Sequence, residues 1–361
     1  MKALRFGRSA AVLSVAALAL TACGGNDGSS DTAAEGNGSV AGNLIGGGAS
    51  SQEAGMTAWT NGVTEVHPDL TVSYDPVGSG SGREGFLAGQ YSFAGSDAAM
   101  DEEEISQAES VCGPEGVFHV PAYISPVAVA FNLEGVDQVN MDADTIAKVF
   151  TGEITTWNDP VIAKQNPDTE LPDTKITVVH RADDSGTTEN FTDYLAAAAP
   201  ESWTYDVVET WPTEITAESA QQTSGVVSLA QSTDGAITYA DASQIGNLGT
   251  VAVKVGEEYV PYSSEAAARA VETAGEGLAG ALELDRTTTE AGVYPVVLVT
   301  YEIFCHQYQD QETADMAKAF AEYVVSEDGQ ATAAESAGNA PISDATREAA
   351  LENIQGITVQ G

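Results

Sequence analysis

Short apolar runs of strand length alternate along the chain with stretches in which apolar residues recur every three or four positions. The runs predict strands near 42–45, 70–74, 118–120, 127–131, 176–179 and 296–301. The helical spacing predicts helices near 52–66, 143–150, 188–199, 315–325 and 345–354. Because the two periods alternate over almost the whole length, an α/β fold is expected, and neither a β-sandwich nor a helical bundle fits. The roughly 320 residues after position 41 are more than one core usually takes, so two lobes are expected.

The amino end departs from this pattern. Lys2, Arg5 and Arg8 precede a short apolar run, 10–20, too short to span a bilayer and ordered like a secretory signal, so 1–22 is expected to be removed. "LTAC", ending in Cys23, resembles the lipobox of bacterial lipoproteins, in which the cysteine becomes the lipidated first residue. The Gly/Ser-rich stretch 23–41 then reads as a flexible tether. The expectation is an exported chain, anchored by lipid to the outer face of the cytoplasmic membrane.

Charge narrows the partners. The chain carries 54 acidic and 13 basic residues, net −41, and loss of the leader with its three basic residues takes this to −44. Nucleic acid is excluded, because phosphate backbones need clustered Lys and Arg. The acidity serves solubility or tolerance of salt. With Cys23 lipidated, Cys112 and Cys305 remain as an even pair in an oxidising compartment and are expected to form a disulfide. They are too sparse for a metal cluster, and neither a metal nor a cofactor is expected.

Three strand-to-helix junctions share one chemistry. "IGGGASSQE" carries Ser50 and Ser51, "DPVGSGSGREGF" carries Ser79 and Ser81, and "HRADDSGTTENF" carries Ser185, Gly186 and Thr187. The first N–H groups of a helix have no partner inside it, so small residues there let an anion reach the backbone and the positive end of the dipole. One such junction is explained by an ordinary Ser or Thr cap; three in one chain point to an oxyanion pocket. Arg181 offers a planar fork of donors suited to phosphate, with Asp183 placed to orient it. A rival function is a secreted serine hydrolase with Ser185 as nucleophile. That needs a base from His67, His119, His180 or His306, and His180 is expected on the opposite strand face from Arg181. Neither "GSGSG" nor "DDSGT" has the register of a nucleophile elbow.

The order and spacing of "GGGASS", "GSGSGREGF", "FAGSDAAM", the segment 152–195, "GAITYADAS", "YPVVLVTYEI" and "GNAPIS" resemble the PstS family, the phosphate-binding lipoproteins of bacterial phosphate ABC transporters. The likeness runs over nearly all of the chain after the tether. It implies a two-lobed periplasmic-binding-protein fold of type II, with lobe I at 42–124 and 296–361, lobe II at 125–295, and a ligand cleft between lobes joined by two crossovers. It also implies a monomer that is no enzyme and delivers inorganic phosphate to ABC transporter permease subunits. Matching positions imply phosphate contacts from Ser50, Ser51, Ser79, Asp97, Arg181, Ser185, Gly186 and Thr187, with Asp183 supporting the arginine. Ser51 stands where the family commonly has an aromatic residue, and its expected contribution is a backbone N–H. Asp184 stands where glycine is frequent and is expected to face solvent. Asp97 is expected to accept the proton that phosphate carries and that sulfate or molybdate, the nearest alternative ligands, lack.

Overall fold

The computed structural model describes residues 40–272 and 274–361. The expected leader, Cys23 and all but the end of the tether lie outside the described residues. Three parallel strands joined by helices come first: β1 (Gly42–Gly48), α1 (Glu53–Val66), β2 (Leu70–Asp75), α2 (Ser79–Leu87) and β3 (Phe93–Ser96), with β1 between the other two strands. Next is α3 (Glu102–Cys112), where the acidic run Asp101–Glu104 closes a capping box: Asp101 accepts from Glu104 N, and the Glu104 carboxylate accepts from Asp101 N. It leads into β4 (Val117–Phe131).

Beyond β4 lie β5 (Gln138–Met141), α4 (Ala143–Phe150), α5 (Pro160–Gln165), β6 (Thr177–Arg181), α6 (Gly186–Ala198), β7 (Glu218–Ala220) and α7 (Gln222–Ser232). Then come β8 (Ala236–Asp241), β9 (Gly249–Val255), β10 (Glu258–Val260), α8 (Ser264–Val271) and the short strands β11 (Gly275–Glu276) and β12 (Leu282–Glu283). The chain returns through β13 (Val297–Cys305) and ends with β14 (Gln307–Tyr308), α9 (Gln311–Val325), α10 (Glu327–Ala337), α11 (Asp344–Gln355) and β15 (Thr358–Val359).

The main sheet runs β2-β1-β3-β13-β4-β8-β6-β7, with β9 branching from β4 and carrying β5 and β10. The fold is α/β, as the alternating periods predict. The two strands expected at 118–120 and 127–131 are one strand, β4, with every residue buried. Pro121 and Pro126 interrupt the sequence pattern because proline cannot donate to a ladder. The sheet absorbs them: a register shift between Thr300 and Tyr301 faces the Pro121 stretch, and at Pro126 the partner changes from β13 to β8. β4 therefore belongs to both ends of the sheet.

"TWNDP" begins a helix, α5. Asp159 Oδ1 accepts from Val161 N at 2.8 Å and Pro160 takes the first helical position, where its missing N–H costs nothing. All four tryptophans are core. Trp59 packs against Tyr123 and donates to Gly329 O at 2.9 Å. Phe150, Phe191, Trp211 and Tyr239 form an aromatic cluster under α6, each buried ring contributing roughly 1.5–3 kcal/mol. Cys112, ending α3, is bonded to Cys305, ending β13, with Cα atoms 5.0 Å apart.

Candidate functional site

Helix starts meet where β1, β3 and β6 end, the carboxyl edge at which open α/β sheets take ligands. Gly48 makes the first turn possible. Its φ is +153°, and a Cβ there would stand 1.8 Å from Gly95 O. The chain then presents Ser50 and Ser51 before α1, Ser79 opens α2, and Ser185 caps α6 with its Oγ accepting from Thr188 N at 3.2 Å. Gly186 packs so closely that a side chain would lie 2.7 Å from Ser79 Oγ and 2.9 Å from Ala98 N. The α6 start can approach α2 only because glycine is there.

Asp97, one residue past β3, gathers these ends. Ser51 Oγ donates to its Oδ2 at 2.5 Å, Thr187 Oγ1 to the same oxygen at 2.9 Å, and Thr300 Oγ1 to Oδ1 at 2.6 Å. Its own N–H donates to Ser79 Oγ at 3.2 Å, and its carbonyl accepts from Asn190 Nδ2 at 2.7 Å. Burial pushes the carboxyl above its ordinary range, while the three hydroxyls and the Arg181 charge pull it back only in part. A carboxylate accepts at about four lone-pair positions, so three hydroxyls leave room for one more donor.

Arg181 closes β6 with its guanidinium forked onto Asp183, through Nε at 2.9 Å and through Nη2. Burial alone would raise Asp183, but hydrogen bonds and charge from Arg181 outweigh it and hold the carboxyl below its ordinary range. Asp183 also accepts from Gln222 N at 2.9 Å, and Gln222 sits at φ +63°, a left-handed conformation held by its amide donating to Pro76 O at 2.8 Å. The third guanidinium nitrogen, Nη1, lies 3.4 Å from Thr223 Oγ1, which lies 3.1 Å from Ser50 Oγ. Tyr239 OH, from the aromatic cluster, accepts from Arg181 N at 3.3 Å and lies 2.7 Å from Thr188 Oγ1. Core packing thus sets both the arginine and the α6 start.

All the expected contact residues, Ser50, Ser51, Ser79, Asp97, Arg181, Ser185, Gly186 and Thr187, lie together here and are buried. Ser51 does more than offer a backbone N–H, since its hydroxyl is committed to Asp97. Asp184 is half-buried and accepts from Thr210 Oγ1, outside the cluster, rather than facing free solvent. Thr223 and Thr300 were not anticipated. "QQTSG" before an apolar run could have revealed Thr223 as a further helix start, whereas Thr300 lies inside a strand with no local signal.

Ser185 has no histidine partner among the described residues. His180 stacks on Trp211 with ring centres 5.2 Å apart, and His119 accepts from Met100 N at 2.9 Å. No group of His, Cys, Asp or Glu suited to holding a metal occurs among the described residues.

The family model of the PBP superfamily domain matches residues 33–328. The phosphate-binding protein PstS2 of Mycobacterium bovis is 35% identical over 89% of this chain and 90% of its own length. The chain belongs to the PstS family. A second relative, the phosphate-binding protein PstS 3 of Mycobacterium tuberculosis, is 34% identical with the same coverage. Among solved structures, the periplasmic phosphate-binding protein PfluDING superposes with a TM-score of 0.68 at 22% identity, over 88% of this chain and 100% of that one. The phosphate-binding protein of Stenotrophomonas maltophilia gives 0.66 at 19%, over 86% and 94%. These neighbours establish the type II periplasmic-binding-protein fold. PstS proteins are binding proteins rather than enzymes, and this member is no exception.

Proposed function

We propose that the chain is an extracytoplasmic receptor that binds inorganic phosphate, one per monomer and without metal or cofactor. The cleft lies between lobe I (42–124 and 296–361) and lobe II (125–295), with crossovers in β4 and just before β13. The receptor hands phosphate to the permease subunits of an ABC transporter while lipid on Cys23 holds it to the membrane. The relatives named above are phosphate-binding proteins by name, which supports the ligand. The observation that carries the proposal is the convergence on Asp97 of hydroxyls from the starts of α1, α2 and α6, with Arg181 beside them.

In this site Arg181 supplies the positive charge, oriented and partly offset by Asp183. Ser50, Ser79 and Ser185 supply hydroxyls, and Ser51, Gly186 and Thr187 supply backbone N–H groups at helix starts. Charge-assisted bonds contribute ~1.5–3 kcal/mol each, so several hold a dianion on a protein of net charge −41. The Debye length of ~8 Å at physiological salt screens most of the acidic surface from the cleft. Asp97 takes the proton that phosphate brings, which disfavours sulfate and molybdate.

The test is calorimetry on the compact unit 39–361, stripped of phosphate, titrated with phosphate and then sulfate. One-to-one binding of phosphate is expected, with sulfate far weaker. An unchanged baseline with phosphate overturns the proposal.

A further inference from the structure

Arg83 lies in α2 at 5% exposure and hydrogen-bonds none of the residues assigned to the anion. Its guanidinium instead joins three elements. Nη1 donates to Ser96 Oγ at 3.0 Å, beside Asp97, and to Glu209 Oε1 at 2.9 Å, while Nε donates to Glu104 Oε1 at 2.8 Å. Glu209 is tied in turn to the α6 cap, its main-chain oxygen accepting from Ser185 N at 3.2 Å. Gly80 fits against the same carboxylate, where a Cβ would stand 2.7 Å from Glu209 Oε2. One buried arginine thereby connects the strand end at Asp97, the start of α2 and the cap of α6.

We propose that Arg83 is a positioning residue for phosphate binding, its bridge from Ser96 and Glu104 to Glu209 holding the starts of α2 and α6 at the spacing the anion requires. The inference rests on the phosphate reading and on the lobe assignment, under which Arg83 and Glu104 stand on one side of the cleft and Glu209 on the other. A lysine cannot replace the bridge fully, because a single ammonium lacks the planar fork that serves three oxygens at once.

The cluster also carries more acid than base. Glu189, on α6, feels the charge of Glu209. Burial first, then the Glu209 charge, push Glu189 up to about 8 against the pull of Arg83, with Glu104 adding to the rise. The other charged groups nearby are Asp193, paired with Arg286 at 2.8 Å, and Asp97 and Glu283, which line the same cavity as Glu189. Glu189 and Glu209 stand on the same side of the cleft, so opening leaves the Glu209 charge in place but rewets Glu189 and takes away Arg83 and Glu104. Burial is the largest of these effects, so its loss lowers the carboxyl. Closure then takes up a proton at Glu189. That contribution to binding is complete at pH below the ordinary carboxylate range and is lost as pH rises through about 8.

Phosphate dissociation constants are to be measured by calorimetry from pH 5.5 to 9 for the parent, Arg83→Met, Arg83→Lys and Glu189→Gln. Arg83→Met is expected to bind about tenfold or more weakly, with part of the loss restored in Arg83→Lys. The ratio of parent to Glu189→Gln constants cancels the titration of phosphate itself. It should rise by about threefold or more between pH 5.5 and 8, with a ceiling of about tenfold per unit. Arg83→Met matching the parent at every pH overturns the proposal. If Arg83→Met does not fold, Arg83→Lys binding phosphate as tightly as the parent at every pH overturns it instead. A parent that binds no phosphate at all overturns the phosphate reading and this inference with it.

Discussion

Asp97 has to do two things at once. On the phosphate reading proposed above it is an acid in a pocket for an anion, and it is also the hub on which Ser51, Thr187 and Thr300 are ordered. Both follow if its remaining lone pair meets the phosphate proton, because sulfate would set a bare acceptor against it in a site with little water. Sites built on one required hydrogen bond reject analogues lacking it by ~10⁴-fold or more. Asp97→Asn is therefore expected to narrow the preference for phosphate over sulfate, since the amide can donate to either anion and the three hydroxyls can rotate to accept from it. Arg181→Ala is expected to weaken both anions alike. Competitive titration of the variants from pH 5 to 8.5 reads the ratio. A ratio unchanged in Asp97→Asn assigns selectivity to cleft shape or the hydroxyl network instead.

Between elements, single polar side chains hold what apolar packing leaves loose. His119 on β4 accepts from Met100 N through Nε2, and its Nδ1 lies 3.1 Å from Ala279 O, which can only accept. The ring is thus neutral with its proton on Nδ1. Burial lowers it to about 4, the Ala279 bond opposes this, and the Arg83 charge adds to the lowering. Between about 4 and the ordinary histidine range near 6.5 the unfolded chain binds the extra proton, so this stabilisation is present above the range and is lost as pH falls through it. Loss on the order of 2–3 kcal/mol is expected by pH ~4.5 relative to His119→Gln, which keeps an acceptor for Met100 N but does not titrate. Urea unfolding of both proteins at the two ends of the window gives the difference, and the buried carboxyls common to both cancel. Parallel pH curves would count against a neutral buried His119.

At the scale of the whole molecule the disulfide is the covalent constraint among the described residues. Cys112 and Cys305 are 193 residues apart in sequence, and closing so long a loop in the unfolded chain corresponds to about 5 kcal/mol in the chain-entropy account. Denaturant midpoints of the oxidised and reduced unit 39–361 are expected to differ accordingly, with no free thiol in the unreduced form. Two free thiols in the unfolded, unreduced unit would rule the bond out. Because α3 and β13 flank the edge that carries Asp97 and Thr300, reduction is expected to loosen this side of the site before the Arg181 side.

How much was legible depends on whether the cause was local. Alternating periods are local, and they predicted the α/β class and strands such as 70–74. Small residues at helix starts are local too, and together with the spacing of Asp97 and Arg181 they marked the positions that the fold brings together. Short, weakly amphipathic helices such as α2 and α10 left no such trace, because packing rather than their own periodicity makes them helical. Thr300 on Asp97, Glu209 on Arg83 and Tyr239 under Arg181 join residues 203, 126 and 58 positions apart. β4 is a single strand because a bulge and a change of partner accommodate its prolines, and both arise only when β13 and β8 are beside it. The sequence by itself determined which small and hydroxyl groups stand at the helix starts. Tertiary structure decided which of them share a carboxylate and what holds them there, because hydrogen bonds between distant segments depend on backbone positions that no local pattern encodes.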